Sequence, residues 1–212
     1  MIYVDMDGSL ARFYENAGCL EAYTEPGFFA NLKPYENMVA AVDMLSSIAY
    51  TSVLSTVPNL TAADKKKDWL KQNMTGVREG RIKTFFNRAD STKEEYVRFL
   101  QSGRPLKRTD ILLDDFSRNC VGWENAGGTA VKLLNELNGR GWNDTHWTGR
   151  TVDICLSAEE IFDSLMDIIC NVAKENLLRG DIPGVSAQNI PPVQSVTVPA
   201  PVPSDSAALM PE

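Results

Sequence analysis

Short β-type apolar runs alternate with helical stretches along most of this chain, and that alternation constrains the fold more than any other feature. Runs at 1–7, 49–55, 81–86, 110–114 and 129–134 read as strands. Between them, Met38, Val39, Val42 and Leu45 recur at helical spacing behind Pro34, which suits a first turn. Thr61 is placed to cap a helix running to about Met74, with Trp69 and Leu70 on its apolar side. Ser91 or Thr92, with Glu94 or Glu95 three residues on, makes a capping box for a helix ending near Gly103. Ser157 and Glu160 make another, ahead of a stripe of Ile161, Leu165, Ile168, Ile169 and Val172 that reads as a packing helix to about Leu178. Strands that alternate with helices pair in parallel and are covered on both faces. The expected fold is therefore α/β, a Rossmann-like three-layer α/β/α parallel sheet over residues 1–180. A small lid is expected at about 11–33, after strand one, where Phe13, Tyr14, Tyr23, Phe28 and Phe29 punctuate irregular sequence. From Asp181 the character changes. Pro183, Pro191, Pro192, Pro199, Pro201, Pro203 and Pro211 sit among Val, Ala, Ser and Gln, so residues 181–212 read as a disordered proline-rich tail.

The first strand ends in chemistry. Ile2-Tyr3-Val4 runs into Asp5-Met6-Asp7-Gly8-Ser9. Alternate side chains on a strand share a face, so Asp5 and Asp7 point the same way where the strand stops. Two like charges that close repel, and they persist most readily where a divalent cation or a phosphoryl group requires them. Taken alone, Asp-x-Asp-Gly also suits a plain strand-to-turn junction. The other strand ends weigh against that plainer reading. In parallel α/β sheets ligands bind beyond the carboxyl ends of the strands. Strand two delivers Ser55 and Thr56 there, and strand four delivers Asp114 and Asp115 straight after Ile-Leu-Leu. Four carboxylates and two hydroxyls converge on one edge. Carboxylate oxygens are the hard ligands Mg²⁺ prefers.

A cation is needed to answer a substrate's negative charge. Lys93 is the leading candidate, because it sits in the first turn of a helix, where a lysine opposes the helix dipole. An ordinary surface lysine is the alternative there. Lys107 falls in a loop, Lys83 lies within strand three, and Lys65, Lys66 and Lys67 read as a solvated helix face.

Composition removes several classes. With 28 acidic and 21 basic residues the net charge is −7, and no basic stripe marks a nucleic-acid polymer interface. Cys19, Cys120, Cys155 and Cys170 are widely spaced, which predicts neither a zinc site nor a disulfide framework and fits a reducing compartment. His146 is the only histidine, so a Ser-His-Asp mechanism would rest on it alone. No run reaches the length of a membrane span. The expected location is cytoplasmic, without a membrane partner.

The series Asp5-Met6-Asp7-Gly8-Ser9, Ser55, Lys93 and Leu113-Asp114-Asp115 resembles, in order and position, the four motifs of the haloacid dehalogenase-like hydrolases. The resemblance covers about residues 1–135. Asp-Met-Asp-Gly-x-Leu-Ala-x-Phe at 5–13 and Leu-Leu-Asp-Asp at 112–115 look most like the pyrimidine-type 5′-deoxyribonucleotidases and their bacterial and phage relatives. So do Gly27-Phe28-Phe29-Ala30-Asn31-Leu32-Lys33-Pro34 and Trp123-Glu124-x-x-Gly127-Gly128-x-x-x-Lys132-Leu133-x-Asn135.

The resemblance implies a Mg²⁺-dependent phosphomonoesterase with Asp5 as nucleophile and Asp7 as acid and base. It implies Mg²⁺ held by Asp5, the Met6 carbonyl and Asp114, with Asp115 in support and Asp7 in the same acidic set. Ser55, with Thr56 beside it, would bind phosphoryl oxygens, and Lys93 would offset charge. Phe13 matches the position that stacks on the base, with Phe28 or Phe29 completing the wall; these aromatics also suit a simple lid core. The implied partner is a small phosphorylated substrate such as a nucleoside monophosphate, and dimers occur among the relatives. Arg12 stands where some relatives carry an acid. Two other readings stay open: a sugar-phosphate phosphatase, and a non-catalytic module that recruits partners through its proline-rich tail. Trp142 and Trp147 are given no role.

Overall fold

The computed structural model describes residues 1–14, 25, 27–76, 81–86, 91–138 and 147–179. Its strands are β1 (Ile2–Val4), β2 (Thr51–Val57), β3 (Ile82–Phe86), β4 (Ile111–Asp114), β5 (Thr129–Leu134) and β6 (Arg150–Asp153). Its helices are α1 (Glu36–Ile48), α2 (Leu60–Asn73), α3 (Lys93–Leu100), α4 (Ser117–Asn125) and α5 (Ala158–Leu178). The six strands form one sheet in the order β3-β2-β1-β4-β5-β6, and every pairing is parallel. The chain winds outward from β1 to β3, then crosses over to β4. The strand order therefore reverses between β1 and β4, where a doubly wound sheet opens its crevice. Val4 lies opposite both Val53 and Leu113, so Asp5 and Asp114 leave the sheet at the same level.

Period-two alternation divides the sheet's side chains between two cores. Ile2, Val4, Val53, Ile111, Leu113, Val131 and Leu133 face one side, with the buried residues of α1, α2 and α5. Tyr3, Leu54, Leu112 and Ala130 face the other, with Val97 of α3 and Cys120 and Trp123 of α4. Trp123 is fully buried, meets Tyr3 edge to face at 5.2 Å, and donates its indole N–H to the Asp110 carbonyl at 2.9 Å.

Both capping boxes are present: Thr92 with Glu95, and Ser157 with Glu160. Three local expectations change. Asn59, not Thr61, caps α2, accepting from the Ala62 N–H. Pro34 stands before α1 rather than in its first turn, bridging to Ala11 while the Tyr35 N–H reaches the Leu10 carbonyl. β6 and α4 are additions to the expected elements. β6 is a four-residue edge strand in which only Val152 is buried, so alternation has little to mark it. α4 contains Gly122, a weak helix former, which lies close against Glu94. The tail at 181–212, Cys19, Tyr23, Trp142 and His146 lie outside the described residues. Trp147 is described, and its indole N–H donates to the Arg150 carbonyl at 2.9 Å. No helix among the described residues is long and apolar enough to cross a membrane.

Candidate active site

The turn after β1 builds the site's floor. The Met6 carbonyl accepts from the N–H groups of Ser9, Leu10 and Ala11, and the Gly8 N–H reaches the Ala11 carbonyl. Gly8 has φ 78°, a left-handed conformation that glycine adopts without strain. A Cβ there would collide with the Asp115 carboxylate and stand 2.7 Å from the Tyr14 ring. The Met6 carbonyl is thus engaged by its own turn, and its side chain is buried in the core. Carboxylate oxygens gather beside this turn.

Asp5, Asp114 and Asp115 are buried and bring one carboxylate oxygen each to within 4.8 Å of one another. Lys93, 2% exposed, donates to Asp5 and to Asp114 at 2.5 Å each. Its capped helix thus delivers an ammonium to the crevice rather than to solvent. Asp114 also accepts from the Phe116 N–H at 2.9 Å and from the Asn119 amide at 3.0 and 3.1 Å. Asp115 accepts from Ser9 and Asn135 at 3.5 Å each, and Asn135 also donates to the Gly8 carbonyl at 2.9 Å.

Asp7 has a different partner. The Lys66 ammonium, fully buried, donates to Asp7 Oδ2, to Ser55 Oγ at 2.9 Å and to the Thr56 carbonyl at 2.7 Å. It also lies over the Phe29 ring, 4.5 Å from its centre. Asp7 Oδ1 is buried with no hydrogen-bond partner among the described residues. Lys66 is the functional residue the sequence reading misplaced. Lys65 and Lys67 are half exposed and pair with Asp68 and Asp64 on the same helix, as a solvated face does. Lys66 instead falls in register with Ala62, Ala63, Trp69 and Leu70 on the buried face of α2. That helical spacing was the available signal. Asn119 is the other residue the sequence did not single out.

Electrostatics follow from burial. Desolvation pushes the Asp7 carboxyl up, against the pull of Lys66, and the neighbouring Asp5 charge adds to the rise. Desolvation likewise raises Asp114 to about 6, although Lys93 opposes it. Asp115 is pushed well above the usual carboxylate range by burial and by the charges of Asp114 and Asp5. Burial disfavours the charge on Lys93, but Asp114 and Asp5 outweigh it and hold that ammonium above its ordinary range. With all four carboxylates ionised, as a bound cation would favour, they exceed the two ammonium groups by two negative charges. An all-oxygen donor set with that excess fits one divalent cation of the Mg²⁺ kind.

The expected aromatic wall forms one cluster. Phe13, Phe28 and Phe29 have ring centres 5.1–6.3 Å apart, and Phe29 is buried while Phe13 and Phe28 are only partly so. Ser55 is buried, and Thr56 contributes its carbonyl to Lys66. On the other flank, a cleft of about 390 Å³ is lined by Arg12, Lys33, Tyr35, Asn37, Glu136 and Cys155, among others. Arg12 donates to both Glu136 oxygens at 2.9 Å and stacks over Tyr35.

Fold and site together define a doubly wound α/β protein with a buried acidic cluster, two lysines among its carboxylates, at the switch point of the sheet. No family model and no curated protein matches the sequence. Among solved structures, the chain is similar to one assigned to a haloacid dehalogenase-like hydrolase from Burkholderia xenovorans LB400. The identity is 15% and the TM-score 0.49, over 81% of this chain and 97% of that one.

Proposed function

We propose that the protein is a Mg²⁺-dependent phosphomonoesterase of the haloacid dehalogenase-like type, acting on (deoxy)ribonucleoside monophosphates through an aspartyl-phosphate. The observation that carries this reading is the convergence of Asp5, Asp7, Asp114 and Asp115 with Lys66 and Lys93 at one strand-end crevice. Asp5 is the nucleophile: a carboxylate oxygen bonds to phosphorus as the bond to the leaving alkoxide breaks. Asp7 protonates that alkoxide through Oδ1, the oxygen Lys66 leaves unpartnered. In the second step Asp7 takes a proton from water, which attacks phosphorus, frees Asp5 and releases inorganic phosphate. Asp5, Asp114 and Asp115 would hold Mg²⁺. When bound, the ion would supply positive charge to the phosphoryl oxygens. Lys93 and Ser55 would position the phosphoryl group, and Lys66 would set the Asp7 carboxylate. Most of the rate then comes from position and charge, as in phosphoryl transfer generally.

Phe13 and Phe28, part-buried against the Phe29 ring that Lys66 overlies, supply the apolar face a base would stack on. The polar cleft with Arg12 and Glu136 favours a second reading, a sugar phosphate whose hydroxyls those groups would bind. Either substrate suits a cytoplasmic enzyme that needs neither a nucleic-acid polymer nor a membrane. The test is phosphate release from nucleoside monophosphates, sugar phosphates and an aryl phosphate, with Mg²⁺ and with chelator. Turnover that requires Mg²⁺ and disappears in Asp5→Asn is expected, highest on a nucleotide. Full metal-dependent turnover by Asp5→Asn refutes the mechanism, and a sugar phosphate as best substrate moves the assignment to the second reading.

A further inference from the structure

We propose that Tyr14 is a positioning residue for the cation site, its hydroxyl fixing the Asp115 carboxylate in the orientation a divalent cation requires. The inference rests on the reading of Asp5, Asp114 and Asp115 as that site. Among those three, Asp115 is the one that no ammonium group and no backbone N–H of the described residues is shown to hold. Asp114 accepts from a backbone N–H, an asparagine amide and Lys93, all within 3.1 Å. Asp5 accepts from Lys93 at 2.5 Å. Among the described residues, Asp115 accepts from Ser9 and Asn135, each at the long distance of 3.5 Å, and the Tyr14 side chain lies beside it across Gly8, its hydroxyl in hydrogen-bonding contact with the carboxylate. A phenol donating to a carboxylate makes a charge-assisted hydrogen bond, roughly twice as strong as a neutral one. Tyr14 therefore adds a third, charge-assisted restraint to the two long bonds from Ser9 and Asn135.

The approach is built into the turn. Gly8 lacks the Cβ that would strike the Asp115 oxygen and crowd the Tyr14 ring, so these two groups meet across it. Tyr14 also follows Phe13 directly and packs on it edge to face at 5.4 Å. The hydroxyl thus ties the aromatic wall to the acidic cluster. Hydrogen-bond partners of metal-ligating carboxylates fix ligand orientation, and their removal typically lowers metal affinity by about 10–100-fold.

The test is a double-mutant cycle read by Mg²⁺ binding, using calorimetry on wild type, Tyr14→Phe, Asp115→Asn and the pair. Tyr14→Phe keeps the ring and its contact with Phe13, and its fold is checked by circular dichroism and thermal melting. Tyr14→Phe is expected to weaken Mg²⁺ about 10-fold. In the Asp115→Asn background the same change is expected to cause little further loss, because the oxygen it acts through has been altered. Unchanged affinity in Tyr14→Phe overturns the proposal, as does an equal loss in both backgrounds. A wild type that binds no Mg²⁺ overturns the cation-site reading itself, which separates that failure from failure of the Tyr14 role. Because the readout is binding, the substrate assignment does not enter.

Discussion

Replacing Lys66 by Met tests the burial of that ammonium most directly. The side chain is fully buried and gives hydrogen bonds to Asp7 Oδ2, Ser55 Oγ and the Thr56 carbonyl. Met keeps the length and apolar stem but removes the charge and all three donors. Asp7 is then left with neither oxygen bonded among the described residues, since Oδ1 already lacks a partner. Removing one member of a buried ion pair costs about 3–5 kcal/mol. Asp7 is 20% exposed, and a carboxyl already pushed upward can take up a proton instead of remaining a bare charge. Both effects reduce the expected loss to roughly 2–4 kcal/mol. For a domain of this size that is a fall in Tm of about 5–15 °C. The assay is thermal denaturation in chelator, with Lys65→Met as the control on the exposed face of the same helix. The control is expected to change stability by less than about 0.5 kcal/mol. Adding Asp7→Asn to Lys66→Met removes the stranded charge and is expected to recover a large part of the loss. If Lys66→Met and Lys65→Met melt together near wild type, the argument from buried charge is wrong.

Three further outcomes follow from the same geometry. Asp7→Asn is expected to lower turnover about 10²–10⁴-fold while leaving Mg²⁺ affinity nearly intact, and a matching loss of affinity would count against its acid-base role. Mg²⁺ at about 100 times its Kd is expected to stabilise the fold by about 2.7 kcal/mol in thermal melts. Asp114→Asn should erase that gain, and a gain that persists would place the ion elsewhere. Trp123→Ala, which empties a fully buried site and removes one of the two N–H donors to the Asp110 carbonyl, is expected to cost about 3–5 kcal/mol in urea unfolding. A loss below about 1 kcal/mol would contradict the close packing of that core.

Much of the site is legible in one dimension because local rules place it. The apolar run before Asp5 marks the end of β1, and the one before Asp114 and Asp115 marks the end of β4. The reciprocal bonds of Thr92 and Glu95 start α3 where expected, so Lys93 falls in its first turn. Lys66 was misplaced for a physical reason. In a run of three lysines, residue type favours solvent for all of them, and only the helical register with Trp69 and Leu70 separates the middle one. α4 was missed because Gly122 weakens a nine-residue segment, whose stability comes from packing Cys120 and Trp123 against the sheet.

The sequence by itself determined the strand and helix alternation, both capping boxes, the parallel α/β class and the carboxylates at two strand ends. All of these are set by spacing along the chain and by each residue's own preferences. Only the tertiary structure decided that β1 and β4 are neighbours, that the strand order reverses between them, and which lysine answers which aspartate. Those facts join residues as far apart as Asp5 and Lys93, or Gly8 and Asn135, and local periodicity carries no information about such distant pairs. What selects them is burial: a carboxylate withdrawn from water needs a partner, and the fold brings that partner from wherever in the chain it lies.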